Sequence, residues 1–189
     1  MKSKVNSIAT FLFFLSISIF AQSKKDIKKN HIQSIREVET QNKDGKESTA
    51  DNSYQVFDSN ANVIEEINYD QDGKIKTHET YVFDKNGNKT EEVVYTTEGK
   101  IKKKKVYKYN STGDKIEETH LDPAGNLLEK TSYGFNASGD KITEVVVDGK
   151  GNLQEKSFII YDKKGMKIER RTVDGKGVLI SDKKFIYVY

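Results

Sequence analysis

Nine times along the chain an apolar residue is followed by Asp, Asn or Thr, two variable residues and a glycine, with the glycines at alternating steps of 14 and 12 residues. The turns are Tyr69-Asp70-x-x-Gly73, Phe83-Asp84-x-x-Gly87, Tyr95-Thr96-x-x-Gly99, Tyr109-Asn110-x-x-Gly113, Leu121-Asp122-x-x-Gly125, Phe135-Asn136-x-x-Gly139, Val147-Asp148-x-x-Gly151, Tyr161-Asp162-x-x-Gly165 and Val173-Asp174-x-x-Gly177. A tenth, Phe57-Asp58-x-x-Ala61, keeps the spacing with alanine in the glycine position. The period is 26 residues, two turns per repeat, from about residue 55 to the end.

An Asp, Asn or Thr at the first position of such a turn accepts a hydrogen bond from the backbone two residues on, and glycine at the fourth adopts positive φ without a Cβ clash. Together they specify a type I turn with a glycine bulge, a common β-hairpin connection. The one proline agrees, because Pro123 stands second in Asp122-Pro123-Ala124-Gly125, where its fixed φ is favourable. A further, isolated hairpin signal at Asn42-Lys43-Asp44-Gly45 brings the turns to eleven and the predicted strands to twelve. Strands of about 8 and 10 residues, roughly 26 to 33 Å, leave no room for helices of ten or more residues. Tight turns force each strand to pair antiparallel with its sequence neighbour. The fold class is therefore all-β: an antiparallel meander of about 12 strands, built from 26-residue two-hairpin repeats.

The repeat columns name the core. Phe57, Phe83, Tyr109, Phe135, Tyr161 and Tyr187 stand 26 apart, and Tyr81, Tyr107, Tyr133, Ile159 and Phe185 lie two residues earlier on the same face. Counting by twos puts a third column, Ile75, Ile101, Leu127, Leu153 and Leu179, on that face as well. Its middle is charged at Lys103, Lys105, Glu129 and Glu155, so a single twisted layer or half-pipe fits better than a two-layer sandwich. One parity stays open. Ile64, Thr90, Ile116, Ile142 and Ile168 lie an odd number of residues before the next apolar turn position. Either they face the other side, or a bulge near Glu65-Glu66, Glu91-Glu92 and Glu117-Glu118 shifts the count.

Residues 1–21 read as a signal peptide: Lys2 and Lys4, an apolar run from Ile8 to Phe20, and Ala21 at the cleavage point. The expected location is outside the cytoplasm, in the periplasm, at the cell surface or beyond, with no membrane span after cleavage. Residues 22–54 read as a polar linker, QSKKDIKKN, and a degenerate capping hairpin, and residues 55–189 as the array. Cysteine is absent, which excludes disulfides and thiolate metal sites. Without Lys2 and Lys4 the chain has 30 basic against 29 acidic side chains, a balance that argues against nucleic acid as partner.

The motif Tyr-Asp-x-x-Gly, whole at Tyr69-Asp70-Gln71-Asp72-Gly73 and Tyr161-Asp162-Lys163-Lys164-Gly165, resembles the YD repeats of the Rhs family of exported and cell-surface proteins. With conservative variants the resemblance covers residues 55 to 189. It implies long antiparallel β-sheets that enclose cargo or serve as surface and carbohydrate-associated modules; the 26-residue period is longer than the family's unit.

No grouping of Ser, His and acid stands out, and Glu117-Glu118 project to opposite faces of a strand, so the reading is non-enzymatic and implies no cofactor. Asp84-Lys85-Asn86-Gly87-Asn88 shares fragments with calcium loops, but equivalent turns carry Lys163-Lys164, Ser111-Thr112 or Ala137-Ser138, which serve turn geometry alone. His31, His78 and His120 fall at no metal-ligand spacing. The densest basic stretch, Lys102 to Lys105, lies near aromatics, and Lys102, Lys104, Tyr107, Tyr109 and Tyr133 are the candidate partner-binding residues. Lysines on both faces of one strand oppose an outer-membrane barrel, at about 2 to 4 kcal/mol for each at the bilayer midplane. Two functions compete: binding of an envelope glycan or protein, and structural self-assembly through an open edge strand.

Overall fold

The computed structural model describes residues 23–43 and 45–188, and the signal peptide expected at residues 1–21 lies outside them. A short helix α1 (Lys24–Lys29) precedes twelve strands: β1 (Ser34–Lys43), β2 (Lys46–Phe57), β3 (Val63–Tyr69), β4 (Ile75–Phe83), β5 (Lys89–Tyr95), β6 (Ile101–Tyr109), β7 (Lys115–Leu121), β8 (Leu127–Phe135), β9 (Lys141–Asp148), β10 (Leu153–Tyr161), β11 (Lys167–Asp174) and β12 (Leu179–Lys184). They form one open sheet in sequence order, every neighbour antiparallel, with β1 and β12 at its two edges. The repeat strands are mostly 7 and 9 residues long rather than 8 and 10. Each turn takes one residue more than its four-residue motif, since the N–H of Asp70 donates to the carbonyl of Lys74, beyond Gly73.

The turn chemistry is the one the motif specifies. Asp70 Oδ1 accepts the backbone N–H groups of Asp72 at 2.9 Å and Lys74 at 3.0 Å, and the first residue of every turn from Asp58 to Asp174 makes the same pair of bonds. The glycines have φ from +73° to +89°. At Asn136 the side chain holds Ser138 N–H, Asp140 N–H and, through Nδ2, the Asp140 carboxylate, without carrying charge itself. Asn136→Ala is expected to lower stability by about 1 kcal/mol in urea unfolding, as the loss of a helix cap does. A change within a few tenths would mean that the backbone alone makes the corner.

A second irregularity recurs three residues after each turn glycine. Tyr109 pairs with Lys115 and Lys108 with Glu117, so Ile116 has no partner, and the same skip falls at Ile64, Thr90, Ile142 and Ile168. A bulge therefore answers the parity question, one residue before the glutamates. The other five hairpins carry it too: Tyr95 pairs with Ile101 and Val94 with Lys103, leaving Lys102 as the extra residue. This corrects the third column. Ile75, Ile101 and Leu127 oppose Tyr69, Tyr95 and Leu121, on the face away from Tyr81, Tyr107 and Tyr133, because the bulge between them inverts the count.

Residues 22–30 were expected to be a solvated linker, yet 24–29 form α1. Ser23 caps it by accepting the N–H of Asp26, and Lys28 and Lys29 suit its C-terminal end. Ile27 is buried against Phe57 and Ala61, with Ile32, Ile35 and Val63 beside them. Lys24 Nζ reaches Asn62 Oδ1 at 2.6 Å. The alanine in the tenth turn now has a reason. Ala61 keeps the glycine-like φ of +60°, and its methyl packs in the cluster beneath the helix. Burial of that methyl, about 0.8 kcal/mol, offsets most of the strain of about 1 kcal/mol.

Candidate binding surfaces

The two faces of the sheet differ. On the first, three tyrosines and three lysines interleave across the strands. Lys89 Nζ lies 4.8 Å from the Tyr81 ring centroid and 5.5 Å from that of Tyr107; Lys115 lies 5.1 Å from Tyr107 and 5.3 Å from Tyr133; Lys141 lies 4.7 Å from Tyr133. Each lysine also pairs with the glutamate three residues on, Lys89 with Glu92 at 2.6 Å, Lys141 with Glu144 at 3.1 Å, and Lys115 with Glu118. Lys105 adds charge between Glu92, at 3.6 Å, and Glu118, at 4.0 Å. Nearly all the buried strand residues, Ser53, Gln55, Phe57, Glu92, Tyr107, Thr131, Ser157, Ile159 and Thr172, share this face. It is a core one side chain thick.

The candidate binding residues lie in different settings. Tyr107 is 8% exposed and donates to Glu92 at 3.1 Å. Tyr109 is half-buried and donates to the Lys89 carbonyl at 2.8 Å, as Tyr161 does to Lys141 and Tyr187 to Lys167. Tyr133 is half-buried between two ammonium groups. Lys104 lies on the opposite face in an ion pair with Glu91 at 2.8 Å, and Lys102 is the exposed bulge residue. The structure thus places Tyr107 and Tyr133 in the lattice, sets Tyr109 beside it on the same face, and leaves the two lysines outside it. Burial, with the charges of Glu92 and Glu118, pushes the Tyr107 hydroxyl above the ordinary tyrosine range.

Glu118 shows the lattice's electrostatics. Burial would raise its carboxyl, but hydrogen bonds from His120 and Lys115 and their positive charges outweigh it and hold the group at about 2. A carboxylate so depressed adds stability above its unfolded value near 4.5, and that stability drains as pH falls from about 4.5 towards 2. The shift corresponds to about 3 kcal/mol, which solvent screening reduces to about 1 to 2 kcal/mol. Urea midpoints taken between pH 5.5 and 3 should fall less steeply for Glu118→Gln than for the unaltered chain. Equal slopes would remove this account.

The opposite face carries cross-strand pairs of another kind. His78 stacks on Tyr95 at 4.5 Å between centroids and contacts Glu65 at 2.8 Å; Lys104 pairs with Glu91, and Lys108 with Glu117 at 2.7 Å. The series then breaks. In the glutamate column Glu65, Glu91, Glu117 and Glu169, the fourth repeat has Thr143, and in the column of Val82, Lys108 and Ile160 it has Gly134. Gly134 opposes Thr143, and Thr143 opposes Phe158. A Cβ on Gly134 would lie 2.3 Å from Thr143 Oγ1, so the threonine leans over the space that a side chain would fill.

Beside this notch lies an open hollow of about 870 Å³, lined on its apolar side by Ile142, Phe158, Ile160 and Val173 and at its rim by Glu169 and Arg171. Phe158 is 38% and Ile160 46% exposed, and Lys156 Nζ stands 5.0 Å from the Phe158 ring. Sequence reasoning passed over these residues because it sought what recurs. Their signal was the departure from the columns. Among the described residues no three metal-capable side chains come together, and no helix is long and apolar enough to cross a membrane, which says nothing of membrane-spanning strands.

No family model matches the chain, and no curated relative does. Solved structures similar to it include a porin-like protein from Bacteroides uniformis, at 14% identity and a TM-score of 0.39 over 75% of this chain and 56% of that one. TcdB2-TccC3 without its hypervariable C-terminal region matches at 8% identity and a TM-score of 0.45, over 82% of this chain and 10% of that one. The chain thus spans about half the length of the first and a tenth of the second.

Proposed function

We propose that this is a non-enzymatic, exported YD-type repeat protein that binds a glycan or protein partner at the cell envelope, and that the hollow beside Phe158 is where it does so. The supporting observation is the break in the ion-pair series. Where Glu65, Glu91 and Glu117 on this face meet His78, Lys104 and Lys108, Thr143, Phe158 and Ile160 instead line an open apolar hollow beside Gly134. An aromatic ring with a polar rim suits a sugar ring or an apolar side chain of a partner. The leader-like residues 1–21 and the Tyr-Asp-x-x-Gly motif support export and the family reading.

Retention of the purified chain on peptidoglycan, on a glycan array and on immobilised envelope protein tests this. Phe158→Ala with Ile160→Ser should abolish retention, and Lys102→Ser should not. Retention unchanged by the double substitution would move the site elsewhere, and no retention of the unaltered chain on any of these would overturn the binding role.

A further inference from the structure

Among the described residues the sheet ends in two uncovered edges of opposite character. β12 is the last of the even-numbered strands, and each earlier even strand of the array, β4, β6, β8 and β10, has an odd-numbered strand on both sides. β12 has only β11. Beyond Lys184 the chain still keeps the repeat's register. Phe185 N–H donates to the Ile168 carbonyl at 3.0 Å, and Tyr187 Oη donates to the Lys167 carbonyl at 2.8 Å, as Tyr161 Oη does to Lys141, 26 residues earlier, at 3.0 Å. The tail therefore presents the edge that β10 presents to β11. Two of its side chains are bare: Ile186 is 89% and Val188 93% exposed, against 46% for Ile160, the repeat equivalent of Ile186.

Among the described residues β1 is the one odd-numbered strand with a free edge. We infer that β1 of a second copy of this chain pairs antiparallel with β12 and the segment after it, so that the sheet continues from one molecule into the next. Charge supports this occupant. At both boundaries of β6 the even strand supplies lysine and the odd strand glutamate, as in Lys104–Glu91, Lys105–Glu92 and Lys108–Glu117. β12 ends in Lys183-Lys184, and β1 carries Glu37 and Glu39, while Arg36 just before them is already paired with Asp51. Unpaired backbone along an edge strand is also what strand addition requires. The contact joins two different edges, so it does not close on itself as a two-fold dimer would, and mass grows with concentration. It is independent of the hollow on the sheet's face.

Light scattering and sedimentation of the purified chain over a wide concentration range test the pairing. The unaltered chain should pass beyond dimers, and Ile186→Pro, which removes an edge N–H, should hold it monomeric. Reversing charge at one end, by Glu37→Lys with Glu39→Lys or by Lys183→Glu with Lys184→Glu, should raise the half-assembly concentration by about tenfold. Mixing the two reversed chains should restore assembly, which a merely misfolded variant could not do. A monomer at every concentration overturns the inference, as does a dimer that Ile186→Pro abolishes but reversal on β1 leaves unchanged, since that dimer would join β12 to β12.

Discussion

Gly149→Ala should destabilise the sheet by about 3 kcal/mol, the upper range for forcing an extra carbon into filled space. Gly149 has no unusual φ, so the cost is steric. A Cβ there would stand 2.1 Å from the Leu127 carbonyl oxygen and 3.1 Å from its carbon. Both belong to backbone, and neither can rotate away as a side chain would. The ladder shows why the approach is so close. β9 runs one residue further along β8 than β7 does along β6, with Asp148 opposite Glu129, so the next residue meets the start of β8 edge-on. The β10–β11 ladder repeats this with Asp174 opposite Glu155, and a Cβ on Gly175 would lie 2.1 Å from the Leu153 carbonyl oxygen. Gly151→Ala is the control. It has open space and φ +84°, and should cost only about 1 to 2 kcal/mol. Urea midpoints that rank Gly151→Ala as the worse change would refute the clash.

Tyr107→Ala is expected to cost about 3 kcal/mol, the low end for truncating a buried ring, because the site has a single layer of neighbours. The loss has three parts: the ring's burial, its contacts with Lys89 and Lys115, and its hydrogen bond to Glu92. Tyr107→Phe keeps the first two and should cost about 1 kcal/mol, for the carboxylate's lost donor. The pair of variants also separates packing from ligand binding. If Tyr107 serves the sheet, the alanine variant unfolds at lower urea while the phenylalanine variant retains its ligands. A fully stable Tyr107→Ala that loses envelope binding would return the residue to the partner-binding role that the sequence suggests.

The corners were legible because each is decided within five residues. Asp70 and Gly73 fix their turn without reference to anything distant, and twelve strands follow from eleven such corners. The aromatic columns were legible too, since a 26-residue period brings Tyr81, Tyr107 and Tyr133 to equivalent places whatever the register in between. Counting by twos failed at Ile101 and Leu127. It assumes an unbroken pleat, and the bulge after each turn breaks it. α1 was missed because QSKKDIKKN has one apolar residue, Ile27, whose partners Phe57 and Ala61 lie thirty residues on. The binding residues named from the basic run were judged by density of charge. Pairing partners, Glu91 for Lys104 and Glu117 for Lys108, sit on neighbouring strands and neutralise that charge locally.

Local chemistry wrote the strand order, the turn type and the aromatic rows into the sequence itself, for each depends on residues that are neighbours in the chain or one period apart. Only the assembled sheet decided which side each isoleucine and leucine takes, how the lysines and glutamates neutralise one another, and where the apolar hollow opens beside Phe158. Those outcomes depend on cross-strand register, and a single unpaired residue per hairpin, repeated ten times, moves every side chain beyond it to the other face.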